Sequence, residues 1–405
     1  MTISAAWPLI DRGTMTQALR RSAVSAPGAL FAGLGLAALL APFMRIAANR
    51  IVEGDGVRVW DLAASSATWP GVAAVVAGLL FGLPNKMTRV RLAGAVLGVA
   101  GLVWLLVQGA PALLEGAGAN ARVSPAVGFW CLLGVFLLMV ADALAAISLG
   151  PLMRAGLLAT ALGAVAVILW SGVLSDLSIL QEYASRRDAF LAATWQHLVL
   201  AFGSLTAAVA IGFPLGILCH HRERLRTATL PVLSFLQTIP SLAMFGLMIP
   251  ILAWVGATVP GAQAMGIAGI GFAPAFLALV LYALLPVVGN TAAGLAAAPE
   301  AARDAACGMG MTPRQRLWRV ELPLGLPIIL TGLRIVLVQN IGLAVIAGLI
   351  GGGGFGTFVF QGLNQTATDL ILLGALPTVA LALTAAIFMD TLVDLTRTSP
   401  DARND

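Results

Sequence analysis

The sequence predicts an all-α, polytopic membrane protein with about ten transmembrane helices. Hydrophobic residues make up 59% of its 405 residues, charged residues only 10%, and the mean hydropathy is +0.95. Several windows supply the roughly 20 apolar residues that a helix needs to cross a bilayer, and they lack the alternation of barrel strands. Only helices and closed barrels satisfy their backbone groups in lipid, so these windows are predicted to be helices.

Ten hydrophobic segments are candidates for these spans. They lie near residues 28–48, 69–84, 92–109, 126–148, 154–174, 195–219, 230–255, 272–295, 325–350 and 371–395. The first follows Arg12, Arg20 and Arg21 as a signal peptide would. It is too long for the apolar region of a signal peptide and lacks a cleavage site, so we expect it to be retained as a helix.

The distribution of basic residues predicts the orientation of the chain in the membrane. With the N-terminus inside, the inner segments hold sixteen Lys and Arg residues and the outer segments six, namely Arg45, Arg50, Arg58, Arg122, Arg186 and Arg187. Since short cytoplasmic loops are enriched in Lys and Arg, both termini and the polar segment 299–323 are predicted to be cytoplasmic. The cationic groups are scattered between spans, so no nucleic-acid-binding face is expected.

The chain divides into two halves. Residues 1–175 are predicted to form a five-span membrane region of unassigned role, and 176–190 an external polar linker or short surface helix. Residues 191–397 hold five further spans, and 398–405 form a cytoplasmic tail. The three cysteines, Cys131, Cys219 and Cys307, show neither metal-ligand spacing nor a disulfide framework.

The segment 304–323, DAACGMGMTPRQRLWRVELP, carries the most specific pattern. It resembles the EAA loop of bacterial ABC importer permeases: Glu-Ala-Ala, three residues, Gly, nine residues, an aliphatic residue, one residue, then Leu-Pro. The matching positions, with Asp in place of Glu, are Asp304, Ala305, Ala306, Gly310, Val320, Leu322 and Pro323. The alternative register at Glu300 puts Ala306 in place of the Gly and loses the Leu-Pro.

Local chemistry predicts two short helices in this loop, over 299–309 and 313–320. Thr312 fits an N-cap, Pro313 the first helical position and Gln315 a capping-box partner. Gly310 permits a reversal between the two helices, and Pro323 is expected to end the second one.

Further stretches, at 195–217, 230–250, 281–295 and 332–363, resemble the osmoprotectant permeases, which import glycine betaine, choline, carnitine or proline betaine. The resemblance covers about residues 190–395 and implies a five-helix type I ABC importer permease core in the bacterial inner membrane. It also implies as partners a cytoplasmic ABC ATPase dimer, a second permease (a further copy or a paralogue) and an external solute-binding protein.

The resemblance implies that Asp304, Ala305, Ala306 and Gly310 sit in a groove of the ATPase. Arg314, Arg316 and Arg319 either add contacts there or only maintain the topology. The sole lysine, Lys86, lies outside any P-loop pattern, so ATP and Mg²⁺ are expected on the partner ATPase. We expect no catalytic residue, metal or cofactor on this chain.

Polar and helix-breaking residues within the second set of spans are candidates for the translocation path. Each of them either contacts solute or hydrogen-bonds neighbouring helices. They are Gln237, Thr238, Pro240, Ser241, Tyr282, Pro286, Asn290, Gln339 and Asn340.

Other singular residues have simpler interpretations. Asp142, inside an apolar run, requires a partner or a wet pocket. Arg334 and Asp390 are expected to extend to the membrane surface. His197 is predicted at a helix end and His220 in a solvated turn with His221. The glycines 351–354 are either a flexible or closely packed segment at the external mouth, facing the docked binding protein, or a plain loop of permissive backbone.

Three other functions compete with an osmoprotectant permease. An ABC permease for an amino acid would share the loop and differ in its binding protein. A secondary transporter would need coupling-ion sites and often inverted repeats, and no repeat relates the halves. A membrane enzyme would need a cluster of acid, base, nucleophile or metal ligands, which the sequence does not offer.

Overall fold

The computed structural model describes residues 24–50, 52–62 and 66–396. Eight of its helices are long and apolar enough to cross a membrane, and two shorter apolar helices occupy Ala26–Leu39 and Ser66–Phe81. Together they correspond to the ten predicted segments. Arg12, Arg20, Arg21 and the predicted tail 398–405 lie outside the described residues.

The chain separates into two compact units. The first comprises Met1–Leu149 and Val167–Leu180, and the second comprises Gly150–Ala166 and Gln181–Asp405. The elements up to residue 149 are α1 Ala26–Leu39, β1 Met44–Ala47, β2 Asp55–Val57, α2 Val59–Leu62, α3 Trp69–Phe81, α4 Thr88–Leu114, β3 Arg122–Pro125 and α5 Val127–Ile147.

Helix α4 organises the first unit, because α3 and α5 both pack on it and α1 packs on α5. Glycines let α3 and α4 approach closely. A Cβ atom built on Gly78 would lie 2.7 Å from the carbonyl oxygen of Gly94 and 2.9 Å from the Cα of Gly98. Such contacts replace the hydrophobic driving force that helices lack in lipid. Fully buried Phe43, Leu102 and Phe136 fill the core beside them.

The first predicted span, 28–48, is wrong at its C-terminal end. Helix α1 stops at Leu39, and Met44–Ala47 forms the central strand of an antiparallel sheet of order β2-β1-β3. Pro42 disfavours a continuing helix in the residues before it. Strand β2 follows β1 after a short loop, but β3 comes from a distant part of the chain, so hydropathy alone did not reveal the sheet.

The partner expected for Asp142 is Arg91. The carboxylate on α5 forms an ion pair with the guanidinium on α4, whose side chain is only 9% exposed. A buried charge is retained in lipid when it is paired in this way. The pair therefore joins the two long helices of the first unit.

The remaining elements are α6 Pro151–Trp170, α7 Ser178–Ser185, α8 Arg187–Leu198, α9 Ser204–His221, α10 Glu223–Thr238, α11 Ser241–Thr258, α12 Phe272–Ala296, α13 Glu300–Gly308, α14 Pro313–Arg316, α15 Leu322–Ala347, α16 Gly356–Asn364 and α17 Thr368–Thr396. No residue of α6 is buried, and an Arg154–Asp394 hydrogen bond of 3.0 Å ties its start to the end of α17.

Helix α12 is central to the second unit and packs against both α9 and α15, while α17 packs on α15. Helices α12 and α15 approach closely, since a Cβ atom on Gly325 would lie only 2.3 Å from the carbonyl oxygen of Gly294. About one turn earlier on α12, Thr291 faces Gly216 of α9, and a Cβ atom on Gly216 would lie 2.6 Å from the Cβ of Thr291.

Two predicted spans have different limits in the structure. The span 195–219 belongs to one 35-residue helical segment, Arg187–His221, which contains a π turn at Val199–Gly203. The span 230–255 is broken into α10 and α11. Pro240 forces Ile239 into an extended conformation with ψ 124°, because a residue before proline avoids the helical region.

We predict that Arg91→Met lowers the free energy of unfolding by about 2–3 kcal/mol, since it leaves the partly buried carboxylate of Asp142 without its cationic partner. The double variant Arg91→Met/Asp142→Leu removes both charges and should lie within about 1.5 kcal/mol of wild type. Unfolding of the purified protein in detergent measures both.

The exposed Arg89 on the same helix provides the control, and Arg89→Met should change stability by less than about 0.5 kcal/mol. If Arg91→Met/Asp142→Leu were no more stable than Arg91→Met, the unpaired carboxylate would not account for the stability lost in the single variant.

Candidate coupling loop and polar core

The loop between α12 and α15 has well-defined helix ends. Helix α13 closes with two hydrogen bonds, from Gly310 N to Cys307 O at 2.9 Å and from Met311 N to Ala306 O at 3.1 Å. This pair is the Schellman pattern, which requires a left-handed residue after the helix. Gly310 provides it with φ of 76°. The predicted reversal at Gly310 is therefore confirmed.

The capping box predicted at Thr312 is also confirmed. The Thr312 Oγ1 atom accepts from Gln315 N at 3.3 Å, and the Gln315 Oε1 atom accepts from Thr312 N at 2.9 Å. Pro313 occupies the first turn of α14, where a missing N–H costs nothing. The reversal and the box together hold α13 and α14 in a defined relation.

The expectation that Pro323 ends the second helix is wrong. After Arg316 the chain enters a π turn, Leu317–Glu321, and continues without interruption into α15. In a regular helix a proline ring clashes with the carbonyl group four residues earlier. The wider π turn relieves that conflict, and Pro323 sits in the first turn of α15 instead. The loop is therefore continuous with a membrane helix.

The residues matched to the EAA pattern differ in exposure. Asp304, Ala305 and Gly310 are exposed, whereas Ala306 is fully buried within the chain. Of the other loop residues, Thr312, Pro313, Arg314 and Pro323 are exposed, and Arg316 and Leu322 are half-buried. The surface that the loop offers thus includes Asp304 and Ala305 but not Ala306.

Our sequence reasoning missed Glu321, which is 1% exposed. Its Oε1 atom accepts a 2.9 Å hydrogen bond from Arg316 Nε, and its Oε2 atom lies 3.6 Å from His220 Nε2. The prediction of a solvated turn at His220 is wrong, since only 12% of its side chain is exposed. A carboxylate just before Leu-Pro, in an otherwise apolar stretch, was the available signal.

Among the translocation candidates, Gln237 and Tyr282 hydrogen-bond each other's helices. Pro286 lacks an N–H, so it cannot bond the carbonyl of Tyr282 four residues earlier. Gln237 Nε2 donates to that carbonyl oxygen at 2.7 Å, and the Tyr282 hydroxyl donates to Ile239 O at 2.5 Å. These two hydrogen bonds connect the break between α10 and α11 to the turn of α12 that precedes Pro286.

The other candidates make local contacts. Thr238 and Asn290 bond carbonyls of their own helices, Pro240 caps α11, and Ser241 is its first residue. Gln339 is half-buried.

Asn340 is fully buried and donates to Ser204 Oγ at 2.8 Å. Within the described part of the chain, its Oδ1 atom has no hydrogen-bond partner. Ser204 directly follows the π turn of the α8–α9 segment and bonds the carbonyl of Leu200. Asn340 therefore ties α15 to that turn.

The glycines 351–354 form a closely packed turn. Gly351, Gly353 and Gly354 have φ of 76°, 80° and 76°, which favour glycine. Gly354 N donates to Gln196 Oε1 at 3.2 Å, and a Cβ atom on Gly353 would lie 2.1 Å from the same oxygen. The close-packing alternative describes this segment correctly.

The structure adds contacts to three ionisable residues. His197 lies in the last turn of α8, where the π turn continues the helical segment, and it is fully buried with its ring 4.8 Å from that of Phe355. Arg334 and Asp390 form an ion pair between α15 and α17, and both side chains remain partly exposed. Within the described ranges, no group of three or more His, Cys, Asp or Glu side chains is placed to hold a metal ion.

We predict that Gln237→Leu lowers the free energy of unfolding by about 1–2 kcal/mol, because the Tyr282 carbonyl loses its donor. Pro286→Ala in the same chain supplies a backbone N–H for that carbonyl and should recover most of the loss. Thr238→Val, one residue away, is the control and should have little effect. Unfolding in detergent tests this, and an equal loss with and without Pro286→Ala would contradict the assignment.

Two family models match the chain. Residues 25–180 match the family model described as ABC transporter permease YehY, N-terminal domain. Residues 212–398 match the model described as binding-protein-dependent transport system inner membrane component.

Three curated relatives match the second half of the chain. The osmoprotectant import permease protein OsmW of Salmonella typhimurium is 41% identical over 190 residues, 47% of this chain and 83% of that protein. The carnitine transport permease protein OpuCB of Listeria monocytogenes is 38% identical, covering 48% and 81%. The choline transport system permease protein OpuBB of Bacillus subtilis is 31% identical, covering 51% and 87%. The chain therefore belongs to the ABC importer permease family that includes the osmoprotectant permeases, as a multi-pass inner-membrane transport subunit with an additional N-terminal membrane region.

Proposed function

We propose that the solute carried by this permease is an osmoprotectant of the glycine betaine, choline and carnitine class. This proposal rests on the names of the three relatives, which share 31–41% identity with this chain over about half of its length. Tyrosines are few in this chain, with only Tyr183 and Tyr282. Quaternary ammonium groups bind aromatic faces, so the selective cage is assigned to a separate external binding protein.

We also propose that α13 and α14 form the docking element for the ATPase, through a surface that includes Asp304, Ala305 and Gly310. The exposure of these residues and the two hydrogen-bonded helix ends support a rigid lever. Its unbroken continuation into α15 would transmit a push on the loop directly to a membrane helix.

The proposed assembly contains an ABC ATPase dimer, which holds ATP and Mg²⁺, and two permeases, either two copies of this chain or one copy and a paralogue. The excess of Lys and Arg in alternate loops supports placing the loop and both termini in the cytoplasm. Within this arrangement residues 1–175 are a separate membrane region, 176–190 an external linker, 191–397 the permease core and 398–405 the tail.

Isolation of the complex in mild detergent, followed by reconstitution with its binding protein and ATPase, tests the solute class. We expect ATP-dependent uptake of at least one of labelled glycine betaine, choline and carnitine. Uptake of an amino acid such as methionine, with no uptake of glycine betaine, choline or carnitine, would contradict the proposed solute class. Uptake that persists without the ATPase would instead favour a secondary transporter.

Gly310→Asp tests the docking element. A Cβ atom at Gly310 meets nothing within 4 Å, so the variant should insert and fold although the residue has φ of 76°. The added side chain strains the reversal and places a second carboxylate on the docking surface. We expect uptake per ATP hydrolysed to fall roughly tenfold or more. Gly308→Ala, at an exposed position of ordinary backbone conformation, should retain coupling, and normal uptake by Gly310→Asp would contradict the assignment.

A further inference from the structure

The π turn between the loop and α15 ends at a buried carboxylate. Glu321 is 1% exposed, although carboxylates are almost never fully buried unless they are paired. Its Oε1 atom is satisfied by Arg316 at 2.9 Å. Its Oε2 atom has no hydrogen-bond partner in the part of the chain that the structure describes.

The unsatisfied oxygen faces the last turn of α9. It lies 3.6 Å from His220 Nε2, which is longer than the 2.7–3.2 Å usual for a hydrogen bond. A displacement of about half an ångström would therefore make or break a charge-assisted hydrogen bond, which is about twice as strong as a neutral one.

The same carboxylate is connected to both helices of the loop. Arg316, at the end of α14, donates from Nη1 to Cys307 Sγ at 3.3 Å, and Cys307 belongs to α13. Arg303 of α13 also lies within electrostatic range of His220. Glu321 thus stands between a rigid two-helix loop on one side and α9 on the other.

We propose that Glu321 is a positioning residue that transmits movement of the loop to α9 through His220. This inference rests on the proposed docking role of the loop. The loop continues into α15 through the backbone, and it reaches α9 through Glu321. Helices α9 and α15 both pack on α12, so the two connections move the two neighbours of the central helix together. Without the carboxylate, the loop would lose its direct connection to the last turn of α9, while its backbone connection to α15 would remain.

Hydrogen exchange in the whole complex, reconstituted in nanodiscs with and without ATP, measures this transmission. Peptides covering 300–316 report contact with the ATPase, and peptides covering 213–222 report the response of α9. In wild type we expect ATP to change exchange in both. In Glu321→Gln, which keeps the side-chain shape, the loop peptides should still respond while the α9 response is lost.

His220→Gln provides a second variant, because it leaves the bond between Arg316 and Glu321 intact. It should lose the same α9 response, and the double variant should be no worse than either single one. The matched controls are Glu223→Gln and His221→Gln, since both residues are exposed and close in sequence to His220. Both controls should behave as wild type.

Uptake gives a second readout with whichever of glycine betaine, choline and carnitine the wild-type complex imports. Uptake per ATP should fall by roughly fivefold or more in both Glu321→Gln and His220→Gln. An α9 response and a coupling ratio equal to wild type in these variants would overturn the role of Glu321. Loop peptides that do not respond even in wild type would instead refute the docking role itself.

Discussion

Backbone polar groups inside a bilayer have no water to bond, and the second unit depends on meeting this requirement at its helix breaks. Pro286 frees the carbonyl of Tyr282, and the side chain of Gln237 satisfies it, while the Tyr282 hydroxyl reaches Ile239 at the break before Pro240. Polar residues that hydropathy alone suggests for a solute path are thus used to hold broken helices together. Helix α12 then carries the close contacts with α9 and α15 around which the unit is built.

The same requirement shapes the loop outside the apolar spans. Every exposed helix end needs partners for its terminal amides and carbonyls. Here they come from the reversal at Gly310 and the reciprocal bonds of Thr312 and Gln315. Local sequence therefore rigidifies the loop without help from the membrane region. The connection between the loop and the membrane region is not local, because the π turn and Glu321 depend on contacts with residues far along the chain.

Predictions based on a few neighbouring residues agreed with the structure, and those requiring distant partners often did not. The caps at Gly310 and Thr312 depend on bonds over three to five residues, so their pattern is visible in the sequence. By contrast, the sequence of Met44–Ala47 resembles the end of an apolar span, and pairing with Asp55–Val57 and the distant Arg122–Pro125 makes it a strand. Pro323 has the chemistry of a helix stop, but the π turn before it removes the conflict.

By itself the sequence determined that the chain is helical and membrane-spanning, because long apolar runs leave few alternatives in lipid. It also determined the two capped helices of the loop and, through their spacing, the permease family. The tertiary structure decided which polar and charged groups meet. Arg91 pairs with Asp142, Arg334 pairs with Asp390, and Glu321 faces His220. Such pairs join residues on different helices, and their geometry is set by how the glycine-lined helices pack rather than by any spacing along the chain.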